Sequence, residues 1–177
     1  DFLIIGGGMV FTFLKAKGYQ IGKSLLEEDL IDTAKEMLLK NESKIILPID
    51  IIAASEFSND ASKKTVTLEQ IPTDMMGLDI GPKSVELFSK IIRDAKTIVW
   101  NGPMGAFEMP SFANGTNEIA KTIAETDCLS IVGGGDSVTA VNKSGMAEKI
   151  SYISTGGGAF LELLEGITLP AIAALDK

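Results

Sequence analysis

The sequence predicts an α/β fold built on a doubly wound, mainly parallel sheet with helices on both faces. Three observations carry this expectation. Apolar runs of strand length alternate with segments of helical period along the chain, and three glycine triplets (6–8, 133–135 and 156–158) each follow an apolar run and precede a helical one. The 177 residues also suffice for one well-buried core. Alternation of strand and helix requires crossover connections, which set strands parallel and place helices on both faces.

Phe2 to Ile5 reads as a short, fully buried strand, and Met9 to Lys17 as the helix after the first triplet. Ser24 and Glu27 have capping-box spacing, ahead of Leu30, Ile31, Ala34, Met37 and Leu38 at helical intervals up to Asn41. Lys44 to Ile52 is a β-branched strand despite Pro48. Thr65 to Ile71 is a second strand that can run antiparallel, with the polar stretch 58–64 as the turn between them. Val85, Leu87, Phe88, Ile91 and Ile92 line one face of a helix over 84–95, after the punctuation Gly81-Pro82. Strands follow at 97–100, 129–132 and 150–154, and helices at 116–124, 136–143 and 159–164.

Composition narrows the function. Sixteen Lys and Arg against twenty-four Asp and Glu leave a net charge of −8, which disfavours nucleic acid and anionic membrane surfaces as partners. The apolar run Phe2 to Leu14 is broken by three glycines and is too short to span a bilayer. The single Cys128, read as a small buried hydrophobe, forms no disulfide within the chain. With no His, the commonest zinc and copper ligand is missing, and a reducing, cytosolic setting fits best. The chain begins without Met and inside an apolar run, which reads as a piece of something longer.

The triplets are the chief chemical signal. In a parallel sheet all three lie at the carboxyl edge, where α/β folds bind ligands, and glycine lets backbone N–H groups approach a phosphate closely. A single triplet is better explained by a tight turn; three on one edge reverse that and favour an anionic ligand, a nucleotide foremost. Neither common phosphate-loop pattern matches: no triplet continues as Gly-Lys-Ser/Thr, and Phe11 stands where the dinucleotide fingerprint needs its third glycine. The second triplet continues as Asp136-Ser137 in the first turn of a helix. There the carboxylate serves as an N-cap, or holds a hard cation beside phosphates to which Ser137 donates. In Trp100 to Glu108, the two aromatics Trp100 and Phe107 read as core. Asn101 and Glu108 are placed to meet phosphate-side and sugar hydroxyl groups respectively. Glu69, Asp74 and Asp79 read as solvated turn residues without chemistry.

Five ordered motifs, Gly6 to Phe13, Met76 to Pro82, Trp100 to Glu108, Gly133 to Ser137 and Ser154 to Ala159, together with the closing Leu161 to Gly166, resemble the phosphoglycerate kinase family from end to end. The resemblance implies a Rossmann-like three-layer sandwich over 1–177, the nucleotide-binding half of a two-domain glycolytic enzyme. Residues 166–177 would be a tail crossing to the other half. The implied reaction is reversible transfer of the acyl phosphate of bisphosphoglycerate to MgADP, giving ATP and 3-phosphoglycerate, by an enzyme monomeric when intact. Carried over position by position, Gly7, Gly8 and Gly77 would line the adenine slot and Glu108 would meet the ribose. Asn101 and Pro103 would flank the phosphate chain, and Gly134, Gly135, Asp136 and Ser137 would hold its distal end, with Asp136 addressing Mg²⁺. The catalytic assignment falls on the backbone amides of Gly134 and Gly157, facing the phosphoryl group in flight. Ser137 stands where many relatives have Thr. The family's two Lys and one Arg at the phosphates would lie upstream of Asp1, as would the phosphoglycerate site, so the chain alone is expected to bind adenine nucleotide weakly and not to turn over. Two other readings stay open: a non-catalytic adenine-nucleotide-binding module, and a dinucleotide-dependent oxidoreductase domain.

Overall fold

The structure, a computed structural model, describes residues 1–154 and 156–175. Among the described residues there are eight strands in three hydrogen-bonded sheets, with helices packed around them. Strand β1 (Leu3–Ile4) pairs in parallel with β2 (Ile45–Ile46). Between them run α1 (Val10–Ala16) and α2 (Ile31–Asn41), which pack on each other. The second sheet is antiparallel, with β3 (Asp50–Ala54) between β4 (Lys63–Thr67) and β5 (Met76–Ile80). The third is parallel, in the order β6 (Thr97–Asn101), β7 (Leu129–Gly133), β8 (Tyr152–Ser154). Its crossovers are α4 (Asn114–Glu125) and α5 (Gly135–Ser144), while α3 (Pro82–Arg93) precedes it and packs against α4. The chain continues through α6 (Gly157–Leu164) and α7 (Pro170–Leu175).

Two large cores follow from this order. One joins Val10, Phe11, Phe13 and Leu14 of α1 to Ile45, Ile51 and Val66. The other surrounds Trp100 and Val132 with Phe88, Ile119, Ile123 and Val141, and the half-buried Ile4 and Ile46 pack against it. The short β1–β2 pair thus touches both cores. The seven-residue α1 buries five consecutive side chains, so packing rather than propensity holds it.

Several sequence expectations need correction. Phe2 and Leu3 are exposed, and burial of that strand begins only at Ile4 and Ile5, because its single paired neighbour covers one edge. Ser24 caps no helix. Its Oγ accepts a hydrogen bond from Gly77 N at 2.9 Å, and α2 starts seven residues later after one 3₁₀ turn at Glu28–Leu30. The stretch 44–52 is two strands, since Pro48 has no N–H for a ladder and the chain changes sheets around it. The second expected strand lies at 63–67, with Leu68–Gln70 turning as a 3₁₀ helix. Residues 76–80, recognised only as a motif, form β5, which pairs antiparallel with β3, while the antiparallel pairing of β4 with β3 is the one the sequence allowed. Cys128 is half-buried, not a core residue. Thr155, within the last motif, and residues 176 and 177 of the tail lie outside the described residues. Trp100 and Phe107 are both buried, as expected.

Candidate functional site

The starts of α3 and α4 are capped by aspartates from the middle sheet. Pro82 opens α3, and the Asp50 carboxylate accepts from Lys83 N at 3.1 Å and Ser84 N at 2.8 Å. The Asp79 carboxylate, on β5, accepts from Gly115 N at 2.8 Å in the first turn of α4 and from Ile80 N at 2.9 Å. Asp79 is 4 % exposed, and burial pushes its carboxyl up from the ordinary 3.8 to about 7, against the opposing pull of those two N–H groups and Lys63. Its reading as a solvated turn residue is therefore overturned: it is a buried strand residue.

Beside β5 opens a cleft of about 420 Å³, its walls including Gly7, Gly8, Leu25, Gly77, Leu78 and Glu108. Four predicted site residues thus share one concavity of ligand size, lined mainly by backbone and apolar groups with an exposed carboxylate among them. Backbone or buried neighbours leave no room for a side chain at Gly7 and Gly77, while at Gly8 only the exposed Leu25 side chain would have to move. Gly7 has φ of 61°, and a Cβ there would lie 2.6 Å from the Pro103 carbonyl oxygen. At Gly8 a Cβ would press on Leu25 Cδ2 at 2.8 Å. At Gly77 it would overlap the Phe11 ring. Lys23, given no role from sequence, is the cleft's basic wall residue among those described.

From the cleft a connected loop leads along the sheet edge. Gly7 N donates to Met104 O at 3.1 Å, and Ala106 N to Leu78 O at 2.8 Å. Met104 N donates to Thr116 Oγ1 at 3.0 Å, and Trp100 Nε1 to Gly102 O at 2.7 Å. Gly102 N donates to the buried Ser137 Oγ at 2.6 Å, which ties the loop to α5. Asn101 Nδ2 donates to Gly133 O at 3.0 Å, across the paired ends of β6 and β7. Gly134, with φ of 92°, stands against Asn101 and precedes α5, in whose first turn lie Gly135, Asp136 and Ser137. The Gly133–Ser154 pairing places β7 and β8 side by side, so α5 and the Gly157 start of α6 leave the same edge of the sheet. The triplet edge is therefore continuous from Gly7 through Pro103 and Asn101 to Gly134, with Gly157 beyond it.

Asp136 is exposed, and no protein hydrogen bond or ion pair engages its carboxylate among the described residues. No group of three ligating side chains is found among them either. The exposed Asp136 carboxylate suits a cation such as Mg²⁺, which takes one or two carboxylates and completes its shell with phosphate oxygens and water. No helix of the described residues is long and apolar enough to cross a membrane.

The fold and edge define a Rossmann-like α/β domain with its cleft beside the carboxyl ends of its strands. The chain belongs to the phosphoglycerate kinase family: the family model "Phosphoglycerate kinase" matches residues 1–167. Phosphoglycerate kinase of Lactobacillus helveticus (strain DPC 4571) is 59 % identical over 177 residues, covering 99 % of this chain and 44 % of that protein. The Prochlorococcus marinus (strain MIT 9211) protein of the same name is 54 % identical over 183 aligned residues, covering 100 % of this chain and 46 % of its own length. The solved phosphoglycerate kinase of Coxiella burnetii superposes with a TM-score of 0.96 at 44 % identity, over 99 % of this chain and 46 % of that one. That of Pyrococcus horikoshii OT3 superposes with a TM-score of 0.84 at 31 % identity, over 99 % and 45 %. The chain spans less than half the length of these relatives.

Proposed function

We propose that this chain is the nucleotide-binding part of a phosphoglycerate kinase, taking MgADP or MgATP for reversible phosphoryl transfer with bisphosphoglycerate. The observation that carries the reading is the continuous edge from the Gly7–Gly8–Gly77 slot, through Pro103 and Asn101, to the start of α5. The slot takes a flat base against glycine backbone and Leu25, and the exposed Glu108 accepts from ribose hydroxyls. Asn101 and Pro103 flank the phosphate chain. Gly134, Gly135 and Ser137 meet its distal end, where free N–H groups of α5 favour negative charge.

The chemistry asks little of side-chain bases. The nucleophile is a terminal phosphate oxygen of ADP, already ionised, so catalysis is positioning and charge stabilisation, and the lack of His is no obstacle. Backbone amides of Gly134 and Gly157 donate to the transferring group. Asp136 would hold Mg²⁺, which when bound supplies neutralisation of the phosphate charge. The triplets carry no cationic side chain. We assign the missing cations and the 3-phosphoglycerate site to the part of the relatives' length that this chain does not span, and residues 166–177 to a tail that crosses to it. The working enzyme is read as a cytoplasmic monomer with no nucleic-acid or membrane partner.

Calorimetric titration of the chain with MgADP tests the site. Saturable binding, weakened by Asn101→Ala and by Gly7→Val, supports it, and absence of heat counts against it. A coupled assay with 3-phosphoglycerate and ATP tests the division of labour. The chain is read as binding without turnover, and phosphoglycerate-dependent ATP consumption by it would refute that part.

A further inference from the structure

Asp79 is a buried carboxylate that the proposed chemistry does not use, and it lies in the wall of the cleft. Gly105 lies in that wall, and a Cβ on it would overlap Asp79 Oδ1. A Cβ on Gly115 would overlap the same oxygen from the α4 side. The carboxylate is therefore seated between two glycines that leave it no spare room. It accepts from Gly115 N of α4 and from Ile80 N of its own strand. On either side of it, Leu78 O accepts from Ala106 N, and Thr116 Oγ1 accepts from Met104 N. The loop 104–106, β5 and the start of α4 thus meet around one charged group.

We propose that Asp79 is a positioning residue for the nucleotide: its ionised carboxylate holds α4 and the loop at Gly105 against β5, and so sets the width of the base slot. This rests on the nucleotide reading of the cleft. Ionised, the group accepts two charge-assisted bonds and stands at the positive end of α4. Protonated, the carboxyl suits its burial better, but one oxygen becomes a donor facing N–H groups, so one of the two bonds that tie β5 to the start of α4 is given up. With its pKa at about 7, the change falls near neutrality. Of the charged groups on the elements packed around it, Lys63 of β4 draws the pKa down. Glu108 of the loop and Glu118 of α4 carry exposed side chains, β3 presents Ile52 opposite Asp79, and Asp50 is engaged with the start of α3.

The test is a pair of measurements on this chain from pH 5.5 to 8.5: amide NMR shifts of Ile80, Ala106 and Gly115, and calorimetric affinity for MgADP. The expected result is a common midpoint near neutrality in all three amides, with affinity falling about fivefold below it, the difference between a charge-assisted and a neutral hydrogen bond. Asp79→Asn should show no amide titration and only the pH dependence that the terminal phosphate of ADP imposes, so that its affinity differs from wild type about fivefold above neutrality and not below it, while Asp79→Glu, which keeps the charge but overfills the seat, should titrate and bind weakly. Affinity that stays flat while the amides titrate overturns the proposal, as do amides that do not titrate. Absence of MgADP binding at every pH, with the amides titrating, instead defeats the nucleotide reading and takes the proposal down with it.

Discussion

Replacing Asp79 by Asn should change how the stability of the fold depends on pH, and the size of the effect follows from its burial. The carboxyl is pushed up to about 7 in the folded chain from the ordinary 3.8, so between these values the folded state holds a proton that the unfolded state has lost. A raised pKa of this kind stabilises fully below the unfolded value, and that contribution is lost as pH rises through about 7. The whole difference is worth about 4 kcal/mol, of which about 2–3 kcal/mol disappears between pH 5 and 8. Asn is neutral at both ends and nearly isosteric, so the variant lacks this pH-dependent term, and the one N–H left without an acceptor costs the same at every pH. Urea unfolding of wild type and Asp79→Asn at pH 5, 6, 7 and 8 reads it directly. Relative to wild type, the variant should gain steadily with pH, its midpoint moving by about 1 M across the range for a typical dependence on urea. Every other titrating group cancels in the difference. Parallel stability curves for the two proteins would show that Asp79 is ionised throughout, and the argument from desolvation would be wrong.

Other expectations follow from single contacts. Phe88→Ala, at a fully buried position of α3, should lower stability by about 3–5 kcal/mol in thermal unfolding, with nucleotide affinity kept in the folded fraction. Ser84→Ala removes a buried hydroxyl that accepts from Ile49 N and Asp50 N, both at 2.9 Å, and should cost about 2–3 kcal/mol by urea unfolding. Ser84→Thr, which restores the hydroxyl, should recover part of that. Gly77→Ala would drive a methyl into the Phe11 ring and to 2.9 Å from Ile51 Cδ1, for about 1–3 kcal/mol of overpacking. MgADP affinity measured on the same variant should fall as well, because Gly77 forms the slot wall.

What sequence alone determined here are the features with a local or periodic cause. Helices over α3, α4 and α5 were legible because their apolar faces recur at helical spacing between clear breakers, and β6 and β7 because they are apolar and short. The glycine triplets were legible as one shared sheet edge because each falls between an apolar strand and a helix. Tertiary structure alone decided the rest. Ser24-x-x-Glu27 carries a helix-start pattern, yet the hydroxyl serves Gly77, fifty-three residues away, since a buried N–H there has a stronger need than an exposed helix end. Asp79 looks like any turn aspartate until the fold brings Gly105 and Gly115 against it from segments far along the chain. The antiparallel pairing of β5 with β3 could not be read from alternation, because a strand's own residues do not reveal its neighbour's direction. Periodicity and punctuation are written within a few residues of one another. A buried carboxylate's partners, its pKa and the width of the cleft in front of it depend on distances between segments that only folding sets.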